Sequence, residues 1–472
     1  MNTYLDFFKE ICGIPHGSGN TKAISDYLVK FALDRNLEYH QDSFNNVIIV
    51  REAAKGLEDK PAVIIQGHMD MVAVKEPDSD IDMEKEGLRL AVDGDFLYAK
   101  GTSLGGDDGI AVAYGLAILN DDSLKLPRIE LVVTVDEEIG MLGADAIDLS
   151  PCKGRMLLNI DSEDEGIFLV SCAGGARIDL KYPCETLENP SGNVYKISIS
   201  SLIGGHSGTE IDKGRANAIV LMSKILKKLS DAKKILGIGF ISGGTADNAI
   251  CNACEAVILS DEIEPELFEI IKYEVLEKYL SIERDALIEL KKCNDSSNDL
   301  TWLKDSEGGL EKFLTALPNG VISMSRDIEG LVETSLNQGI ISTNETGVCL
   351  SLSVRSNIDD KKAELIRQIL DIATTHHTVS CVRGDYPGWA YRKDSHLREK
   401  MIEVYRGMYG SEPKVEALHA GLECGIFNKK LENLDAVSFG PNILDIHTTK
   451  ERLSLSSAER VYEYLVKVLE AI

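Results

Sequence analysis

Short apolar runs alternate with helix-like segments along the first third of the chain. Strands are predicted for five of these runs: residues 46–50, 62–66, 96–98, 129–135 and 156–160. Amphipathic periodicity predicts helices over residues 3–12 and 21–35, and an Ala-rich apolar segment predicts a buried helix over residues 110–119. This alternation of strands and helices is typical of an α/β architecture.

The pattern changes after about residue 180. Residues 195–200 and 348–355 alternate apolar and polar side chains, which predicts strands with one exposed face. Helices are predicted over residues 215–229 and 264–292, and a turn at residues 295–299. The middle of the chain is therefore predicted to be an α+β domain built on an antiparallel sheet.

The first pattern returns towards the end of the chain. A helix is predicted over residues 397–408, a strand over residues 436–439 and a closing helix over residues 456–472. The middle domain is therefore predicted to be an insertion. The predicted domains are a discontinuous α/β/α domain with a mixed sheet, residues 1–179 and 383–472, and an inserted α+β domain, residues 180–382.

Polar side chains that can bind metal follow the predicted strands. His68 and Asp70 come directly after the second strand, and in an extended chain they point to the same face. The other such residues are Asp107, Asp108, Glu137, Glu138, Asp161 and His447. Open α/β sheets bind ligands at the carboxyl ends of their strands, where these side chains would meet. Taken alone, His68 and Asp70 could equally be ordinary polar residues at the end of a strand.

So many carboxylates in one place require a compensating charge. Like charges raise one another's pKa and resist burial, so divalent cations are expected among them. Two imidazoles with several carboxylates suit zinc, with cobalt and manganese as competitors. A carboxylate can bridge two cations about 3.5–4 Å apart. Because the neighbouring side chains of Glu137 and Glu138 diverge, one can bind metal while the other accepts a proton.

Composition and charge narrow the range of partners and compartments. A chain of 472 residues is too long for one ordinary core. The 50 Lys and Arg against 77 Asp and Glu leave a net charge of −27, which argues against nucleic acid or an anionic membrane as a partner. Because the start lacks a signal-peptide pattern and no apolar run is long enough to span a bilayer, we expect a cytoplasmic protein.

The ten cysteines are scattered without a disulfide pattern, so free thiols in a reducing compartment are expected. Cys251 and Cys254 have CxxC spacing, and a redox pair or half of a zinc knuckle is the alternative to two structural thiols. The chain has no second CxxC to complete a four-cysteine zinc site.

The polar motifs occur in an order that resembles the M20 family of metallopeptidases, whose active sites hold two metal ions. The motifs are residues 67–72 (Gly-His-Met-Asp-Met-Val), 105–109 (Gly-Gly-Asp-Asp-Gly), 136–140 (Asp-Glu-Glu-Ile-Gly) and 159–163 (Asn-Ile-Asp-Ser-Glu). Within that family, three segments resemble the aminoacyl-histidine dipeptidases, also called Xaa-His dipeptidases: residues 101–105, 161–166 and 419–425. The resemblance covers nearly the whole chain. It implies a metal-binding catalytic domain and an inserted lid domain.

The resemblance also implies a role for each motif residue in the catalytic domain. The implied metal ligands are His68 and Asp161 for one ion, Glu138 and His447 for the other, and Asp107 for both. Asp70 would be an auxiliary acid near the metals, and Glu137 the general acid and base.

In the lid domain the resemblance implies substrate-binding residues. His206, in a Gly-Gly-His-Ser-Gly motif, matches the family's transition-state histidine, which is often supplied by the partner subunit of a dimer. Asn248 and Arg355 match residues that hold the substrate's carbonyl and terminal carboxylate, and Gly421 matches a backbone contact to that carboxylate. On the residues alone, His206 could be a surface residue of a glycine loop and Arg355 a charged strand residue.

Several positions have no assigned role or depart from the family pattern. Asp108 stands where related dipeptidases commonly carry Asn, and Cys251 stands where Pro is usual. The role of His419 stays open, and His16 and His40 are predicted to be ordinary surface residues.

The function predicted from these observations is metal-dependent hydrolysis of unblocked dipeptides, including Xaa-His, by a homodimer that forms through the lid domain. The alternatives are a tripeptidase or an N-acyl amino-acid deacylase of the same family, and a non-catalytic metal-binding protein with the same fold. Glu137 argues against the last alternative, because a site that only binds metal does not require this second carboxylate.

Overall fold

The computed structural model describes residues 3–293, 300–304 and 309–472. The predicted turn at residues 295–299 lies outside the described residues. The helices in chain order are α1 Tyr4–Cys12, α2 Lys22–Asp34, α3 Gly106–Asn120, α4 Leu142–Ala146, α5 Ala218–Asp231, α6 Pro265–Leu276, α7 Gly309–Ala316, α8 Asp359–Thr375, α9 His396–Tyr409, α10 Glu423–Lys430 and α11 Leu455–Ala471. No helix in the described part of the chain is long and apolar enough to cross a membrane.

The strands, in chain order, fall into four sheets. Their bounds are β1 Glu38–Gln41, β2 Val47–Arg51, β3 Val63–His68, β4 Leu90–Asp93, β5 Phe96–Ala99, β6 Ile129–Thr134, β7 Met156–Asn159, β8 Ile167–Cys172, β9 Gly174–Pro183, β10 Glu185–Thr186, β11 Asn193–Ser200, β12 Gly205–His206, β13 Gly237–Gly243, β14 Ala249–Ile250, β15 Cys254–Ser260, β16 Leu287–Cys293, β17 Leu303–Lys304, β18 Gly320–Met324, β19 Val332–Asn344, β20 Gly347–Ser356, β21 Val379–Tyr386, β22 Lys414–Leu418, β23 Asp435–Ser438, β24 Ile443–Leu444 and β25 Arg452–Ser454.

The chain divides into two compact units. Unit 1 comprises Met1–Cys172, Trp389–Ala417 and Leu422–Ile472, and unit 2 comprises Ala173–Gly388 and Leu418–Gly421. The predicted boundaries at 179/180 and 382/383 fall inside β9 and β21. Because these two strands pair with each other, both belong entirely to unit 2, whose main segment begins just before β9 and ends just after β21.

Unit 1 is built on an eight-stranded mixed sheet in the order β1-β2-β6-β3-β7-β23-β8-β22. The central strands β6, β3, β7 and β23 run parallel, and β1, β2 and β8 are antiparallel to their neighbours. Strands β3 and β6 are buried along their whole length, which explains their nearly continuous apolar sequences. The α/β fold class is confirmed.

The core of unit 1 lies between this sheet and its helices. Helix α3 is buried from Gly106 to Leu119, because it packs on strand β3 on one side and helix α1 on the other. Gly115 permits this close packing, since a Cβ there would lie 2.3 Å from the Leu131 Cδ1 atom. Phe8 and Leu465 also belong to this core.

Unit 2 contains a large antiparallel sheet whose main path is β16-β11-β15-β13-β19-β20-β9-β21. Helices α5 to α8 supply apolar side chains to a second core, which includes Ile197, Leu221, Leu352 and Ile369. This arrangement is the α+β architecture expected for the inserted segment.

The predicted helix over residues 264–292 is wrong in its second half. Helix α6 ends at Leu276, a single 3₁₀ turn follows at Glu277–Tyr279, and residues 287–293 form strand β16. Strand β16 pairs with β11 at the edge of the sheet and buries Ile288 on one face. Backbone pairing with β11 outweighs the helical propensity of this Leu- and Lys-rich segment.

Candidate metal centre

The parallel strands of unit 1 bring the predicted ligands to one edge of the sheet. His68 is the last residue of β3 and lies opposite Thr134, the last residue of β6. Glu137 and Glu138 follow β6, and Asp161 follows β7. Because β6, β3 and β7 are parallel neighbours, their carboxyl ends lie side by side.

Asp107 lies between the two predicted histidine ligands. The Nε2 atom of His68 is 3.2 Å from Asp107 Oδ1, and the Nε2 atom of His447 is 3.0 Å from Asp107 Oδ2. Glu138 Oε2 is 3.0 Å from His447 Nε2, and Asp161 Oδ1 is 3.8 Å from His68 Nε2. One carboxylate thus presents a different oxygen to each imidazole, which is the arrangement a shared metal ligand needs.

The donor set fits divalent cations. Ligand atoms of His68, Asp107 and Glu138 lie within 4.8 Å of one another, as do those of His68, Asp108 and Asp161. Glu138 Oε1 is buried and has no hydrogen-bond partner among the described residues. Two imidazoles and several carboxylates within this distance are the donors that zinc and its neighbours prefer.

Several of the clustered side chains have raised pKa values, which favours bound protons or another positive charge. Burial raises the pKa of Asp161, and the nearby Asp107 and Asp108 charges act in the same direction. Hydrogen bonds to Asp107 and Glu138 raise the pKa of His447 to about 10. The cluster therefore holds protons, and a cation would compete for the same sites.

Glu137 stands beside the predicted ligands as a partly buried carboxyl group. Burial, together with the neighbouring Glu423 and Glu138, raises its pKa to about 8. Its backbone N–H donates to Asp70 Oδ1 over 3.1 Å, and the Ser18 hydroxyl donates to Asp70 Oδ2 over 2.8 Å. Asp70 thus joins the backbone of Glu137 to the loop that precedes α2.

His68 is held from its other nitrogen by the backbone of Asp70. The Nδ1 atom lies 3.0 Å from the Asp70 carbonyl oxygen and 3.5 Å from the carboxylate Oδ1. The shorter contact has hydrogen-bond geometry, so Nδ1–H donates to the carbonyl and leaves Nε2 for a metal.

The prediction that His16 is a surface residue is wrong. Its side chain is 2% exposed, its Nδ1 lies 2.5 Å from the Ile14 carbonyl oxygen, and its own carbonyl accepts the Met71 N–H. The loop around His16 packs against the extension of β3, where Gly17 forms a bridge with Met71. No local pattern in the sequence indicates this long-range contact. His40 is exposed, as predicted.

Asp108 is buried behind His68. Its Oδ2 accepts the backbone N–H of His68 over 3.3 Å, and a Cβ at Gly67 would lie 2.4 Å from the same oxygen. Burial raises its pKa well above the ordinary value. The side chain therefore contacts the backbone that carries a predicted ligand.

Two buried carboxyl groups near the centre were missed in the sequence. Glu423, the first residue of α10, accepts hydrogen bonds from Gln66 Nε2 over 2.5 Å and from Thr134 Oγ1 over 2.7 Å. Burial raises its pKa to about 7. Glu451 accepts backbone N–H groups of the loop that carries Asp107. Glu423 lies in the segment 419–425, whose resemblance to the family could have indicated a role. No motif of this kind includes Glu451.

All of the predicted lid residues lie in unit 2. His206 in β12 pairs with Ala249 in β14, and the Ser207 N–H donates to the Asn248 carbonyl over 2.8 Å. The unit therefore brings His206 and Asn248 together. Gly421 belongs to the segment Leu418–Gly421, which is attached to this unit by hydrogen bonds to Ala173 N–H.

Arg355 and His419 are neighbours in unit 2. Ser335 lies opposite Arg355 across β19 and β20, and its hydroxyl oxygen is 2.7 Å from His419 Nε2. Burial, and then the Arg355 charge, lower the pKa of both His206 and His419, the latter to about 3. Arg355 Nε is buried without a hydrogen-bond partner among the described residues, so the guanidinium can still bind an anion.

Comparison with known proteins relates the chain to a family of peptidases. A family model described as peptidase family M20/M25/M40 matches residues 64–471. The chain is 31% identical over 470 residues to the cytosol non-specific dipeptidase of Escherichia coli (strain K12), covering 99% of this chain and 97% of that protein.

Solved structures extend the comparison to the fold. The crystal structure of aminoacylhistidine dipeptidase from Vibrio alginolyticus has a TM-score of 0.92 and 33% identity, covering 99% of this chain and 96% of that one. The aminopeptidase PepT of Bacillus cereus ATCC 10987, at 16% identity, has a TM-score of 0.57, with 99% of this chain and 97% of that one covered, and so shares the fold. The resemblance seen in the motifs is confirmed: the chain belongs to the peptidase family M20/M25/M40.

Proposed function

We propose that this protein is a two-metal dipeptidase that hydrolyses unblocked dipeptides, including those with C-terminal histidine. The observation that carries the proposal is the position of Asp107, with one carboxylate oxygen at 3.2 Å from His68 and the other at 3.0 Å from His447. Glu137, whose backbone N–H is held by Asp70, supplies a proton acceptor next to this pair.

In this proposal the ligands are divided between two metal positions. His68 and Asp161 would hold one cation, Glu138 and His447 would hold the other, and Asp107 would bind both. The nitrogen and oxygen donors favour zinc, with cobalt and manganese as alternatives. Two divalent cations there would supply Lewis acidity, which polarises a peptide carbonyl and acidifies a water molecule.

Glu137 would move the proton during hydrolysis. With two cations beside it, Glu137 would be ionised, and its carboxylate would accept a proton from the attacking water. The protonated acid then donates to the nitrogen of the leaving amine. Asp70 keeps this carboxyl group in place through the Glu137 backbone and holds the His68 ring through its own carbonyl.

His206 would stabilise the oxyanion with its Nε2–H. The Thr209 backbone N–H donates to His206 Nδ1 over 3.2 Å, so Nδ1 is the acceptor and the ring proton is on Nε2. Removing a hydrogen bond of this kind costs about 3–4 kcal/mol in the transition state. Glu210 stabilises the loop, because its carboxylate accepts the His206 backbone N–H over 2.8 Å and forms an ion pair with Arg215.

The remaining residues of unit 2 would select the substrate. Asn248 would hold the scissile carbonyl, and Arg355 with the backbone of Gly421 would bind the free terminal carboxylate. A single guanidinium at this position favours a short peptide with an unblocked C-terminus. The names of the relatives, a cytosol non-specific dipeptidase and an aminoacylhistidine dipeptidase, support this substrate class and a location in the cytoplasm.

A substrate panel tests the proposal. We expect the metal-loaded protein to hydrolyse dipeptides such as Ala-His and Gly-Leu, and to cleave their C-terminal amides at least about tenfold more slowly because Arg355 loses its carboxylate partner. Preference for tripeptides or N-acetyl amino acids would favour the other activities of the family. Bound metal without hydrolysis of any panel member would favour a non-catalytic protein.

We also propose a homodimer formed through unit 2. Strand β21 is the last strand of the large sheet and is exposed along most of its length, with Val379 67% exposed. An exposed strand edge with apolar side chains favours pairing with a second copy. Sedimentation equilibrium of the chain and of the Val379→Lys variant tests this, since the variant should dissociate at higher concentration than the parent.

A further inference from the structure

The carboxylate of Glu451 is surrounded by backbone N–H groups. Its Oε2 accepts from Leu104 over 2.8 Å and from Gly105 over 3.1 Å, and its Oε1 accepts from Gly106 over 2.8 Å and from Asp107 over 3.4 Å. Four consecutive N–H groups that converge on one anion form a backbone nest. The side chain is 3% exposed, so these N–H groups take the place of water around the carboxylate.

The loop that forms the nest has a conformation that only glycine adopts easily. Gly105 has a φ of +67° and precedes the first turn of helix α3. A Cβ at this position would lie 2.9 Å from Met71 Sδ and 3.3 Å from His16 Nε2. The left-handed residue turns the N–H groups towards Glu451 and directs the chain into Asp107.

Glu451 also belongs to the segment that carries His447. The Glu451 N–H donates to the Thr448 carbonyl over 3.2 Å, and the Thr448 hydroxyl donates to the Asp445 carbonyl over 2.7 Å. His447, inside this closed turn, reaches Asp107 Oδ2 with its Nε2 at 3.0 Å. The two segments are thus joined twice, once through Glu451 and once through the His447–Asp107 contact.

We propose that Glu451 is a positioning residue of the metal centre. It fixes the backbone of Asp107 relative to His447, so that the shared carboxylate presents one oxygen to each imidazole. This inference rests on the proposed function, because it takes Asp107 and His447 as metal ligands. Glu451 itself does not bind the cation, since both of its oxygens are engaged by the nest.

The nest requires a carboxylate rather than an amide. A carboxylate offers acceptors on both oxygens, whereas glutamine would turn an NH₂ group towards two of the four N–H donors. Glu451→Gln therefore loses hydrogen bonds at Gly106 and Asp107 or reorients the side chain. Loss of such a supporting contact weakens metal binding by about 10–100-fold.

The experiment compares cobalt binding by the metal-free full chain and its Glu451→Gln variant. Co²⁺ is titrated while the visible d–d absorption reports coordination, and a competing chelator dye reports affinity. We expect one Co²⁺ to bind the variant at least about tenfold more weakly than the parent, with a changed d–d spectrum. Two Co²⁺ bound with parental affinity and an unchanged spectrum would overturn the proposal.

Glu130→Gln is the matched control. Glu130 is also a fully buried carboxylate of unit 1, and it accepts the N–H groups of Lys153 over 2.8 Å and Gly154 over 3.0 Å, next to the start of strand β7. We expect this variant to lose stability but to bind two Co²⁺ like the parent. An equal loss of Co²⁺ affinity in the control would mean that Glu451 acts only through general stability, and the proposal would be overturned.

Two further variants separate the possible failures. If Asp107→Asn binds both ions with parental affinity, the ligand set of the proposed function is wrong. If Asp107→Asn loses affinity and Glu451→Gln does not, only the present inference is overturned. If circular dichroism shows that Glu451→Gln does not fold, Glu451→Asp replaces it. Aspartate keeps both acceptor oxygens but is one methylene shorter, so it cannot reach all four N–H groups. Parental Co²⁺ affinity in Glu451→Asp would then overturn the proposal.

Discussion

The pKa of Asp107 reflects two opposing effects, burial and hydrogen bonds to the two histidines. Burial alone would raise its pKa, but hydrogen bonds with His447 and His68 lower the pKa below its ordinary value. Asp161 Oδ1 is 3.8 Å from His68 Nε2, which is beyond hydrogen-bond distance, and burial raises the pKa of Asp161. Two carboxyl groups that are both predicted metal ligands therefore differ in proton affinity because their neighbours differ.

At the residue scale, Glu137→Ala separates catalysis from metal binding. We expect the variant to keep its metal content and to lose turnover by at least about 100-fold, because general acid–base groups contribute rate and this one is not a ligand in our proposal. Elemental analysis gives the metal content, and dipeptide hydrolysis gives the rate.

His447→Ala is the companion variant for that experiment. It removes a proposed ligand, so it should lower the metal content per chain as well as the rate. Appreciable turnover in Glu137→Ala, or full metal content in His447→Ala, would contradict the respective role.

His419 gives a prediction about pH and stability. Its folded-state pKa of about 3 lies below the ordinary value of about 6.5, so the unfolded chain takes up a proton that the folded protein does not. Stability is therefore lost as the pH falls below about 6.5, by about 2 kcal/mol at pH 5. His419→Gln should lack this loss, and urea unfolding at pH 7.5 and pH 5 measures it. A difference between parent and variant that is independent of pH would contradict the burial of a neutral imidazole.

At the scale of elements, strand β3 and helix α3 organise unit 1. The strand ends at His68, and Asp107 is the second residue of helix α3, where the backbone is not yet helical. Both elements are buried, so their relative position depends on close packing rather than on polar contacts. At Gly115, α3 lies so close to β6 that a Cβ would overlap the Leu131 side chain.

Gly115→Ala tests that packing. The added Cβ would meet Leu131 at 2.3 Å, and we expect the free energy of unfolding to fall by about 1–3 kcal/mol. Gly407→Ala in helix α9 is the control, because a Cβ there has no atom within 4 Å among those described and should stabilise the helix by about 0.5–1 kcal/mol. Urea unfolding of both variants gives the comparison, and equal stability of Gly115→Ala and the parent would contradict the packing argument.

At the scale of the whole molecule, the proposed residues are divided between the two units. The metal ligands and Glu137 lie in unit 1, and His206, Asn248, Arg355 and Gly421 lie in unit 2. Each unit holds its own set by internal hydrogen bonds, as with Asp70 in unit 1 and Glu210 in unit 2. In the proposed mechanism, hydrolysis uses residues of both sets.

This division permits a complementation experiment. If His206 acts on the metal centre of the partner subunit, mixing inactive His206→Ala with inactive Glu137→Ala should restore partial activity as subunits exchange. About a quarter of the sites in a random mixture should combine intact residues. Labelled subunits verify exchange, and exchange without recovery would indicate that His206 acts within its own chain.

The sequence by itself determined the central strands and several helices of unit 1, and it indicated which polar residues meet at one edge of the sheet. Apolar runs and helical periodicity are local properties, and polar residues that directly follow parallel strands must meet at one edge of a sheet. The same local signals failed for residues 280–292, because pairing with a distant strand decides whether such a segment becomes strand β16.

Only the tertiary structure decided which further polar residues support the centre. His16 is buried by packing against Met71, and Glu451 meets a loop more than 340 positions away along the chain. Neither residue has a local pattern that differs from that of a surface side chain. A buried charge is stable only where hydrogen-bond donors or opposite charges surround it, and for Glu451 those donors are distant backbone N–H groups that converge on it only in the folded chain.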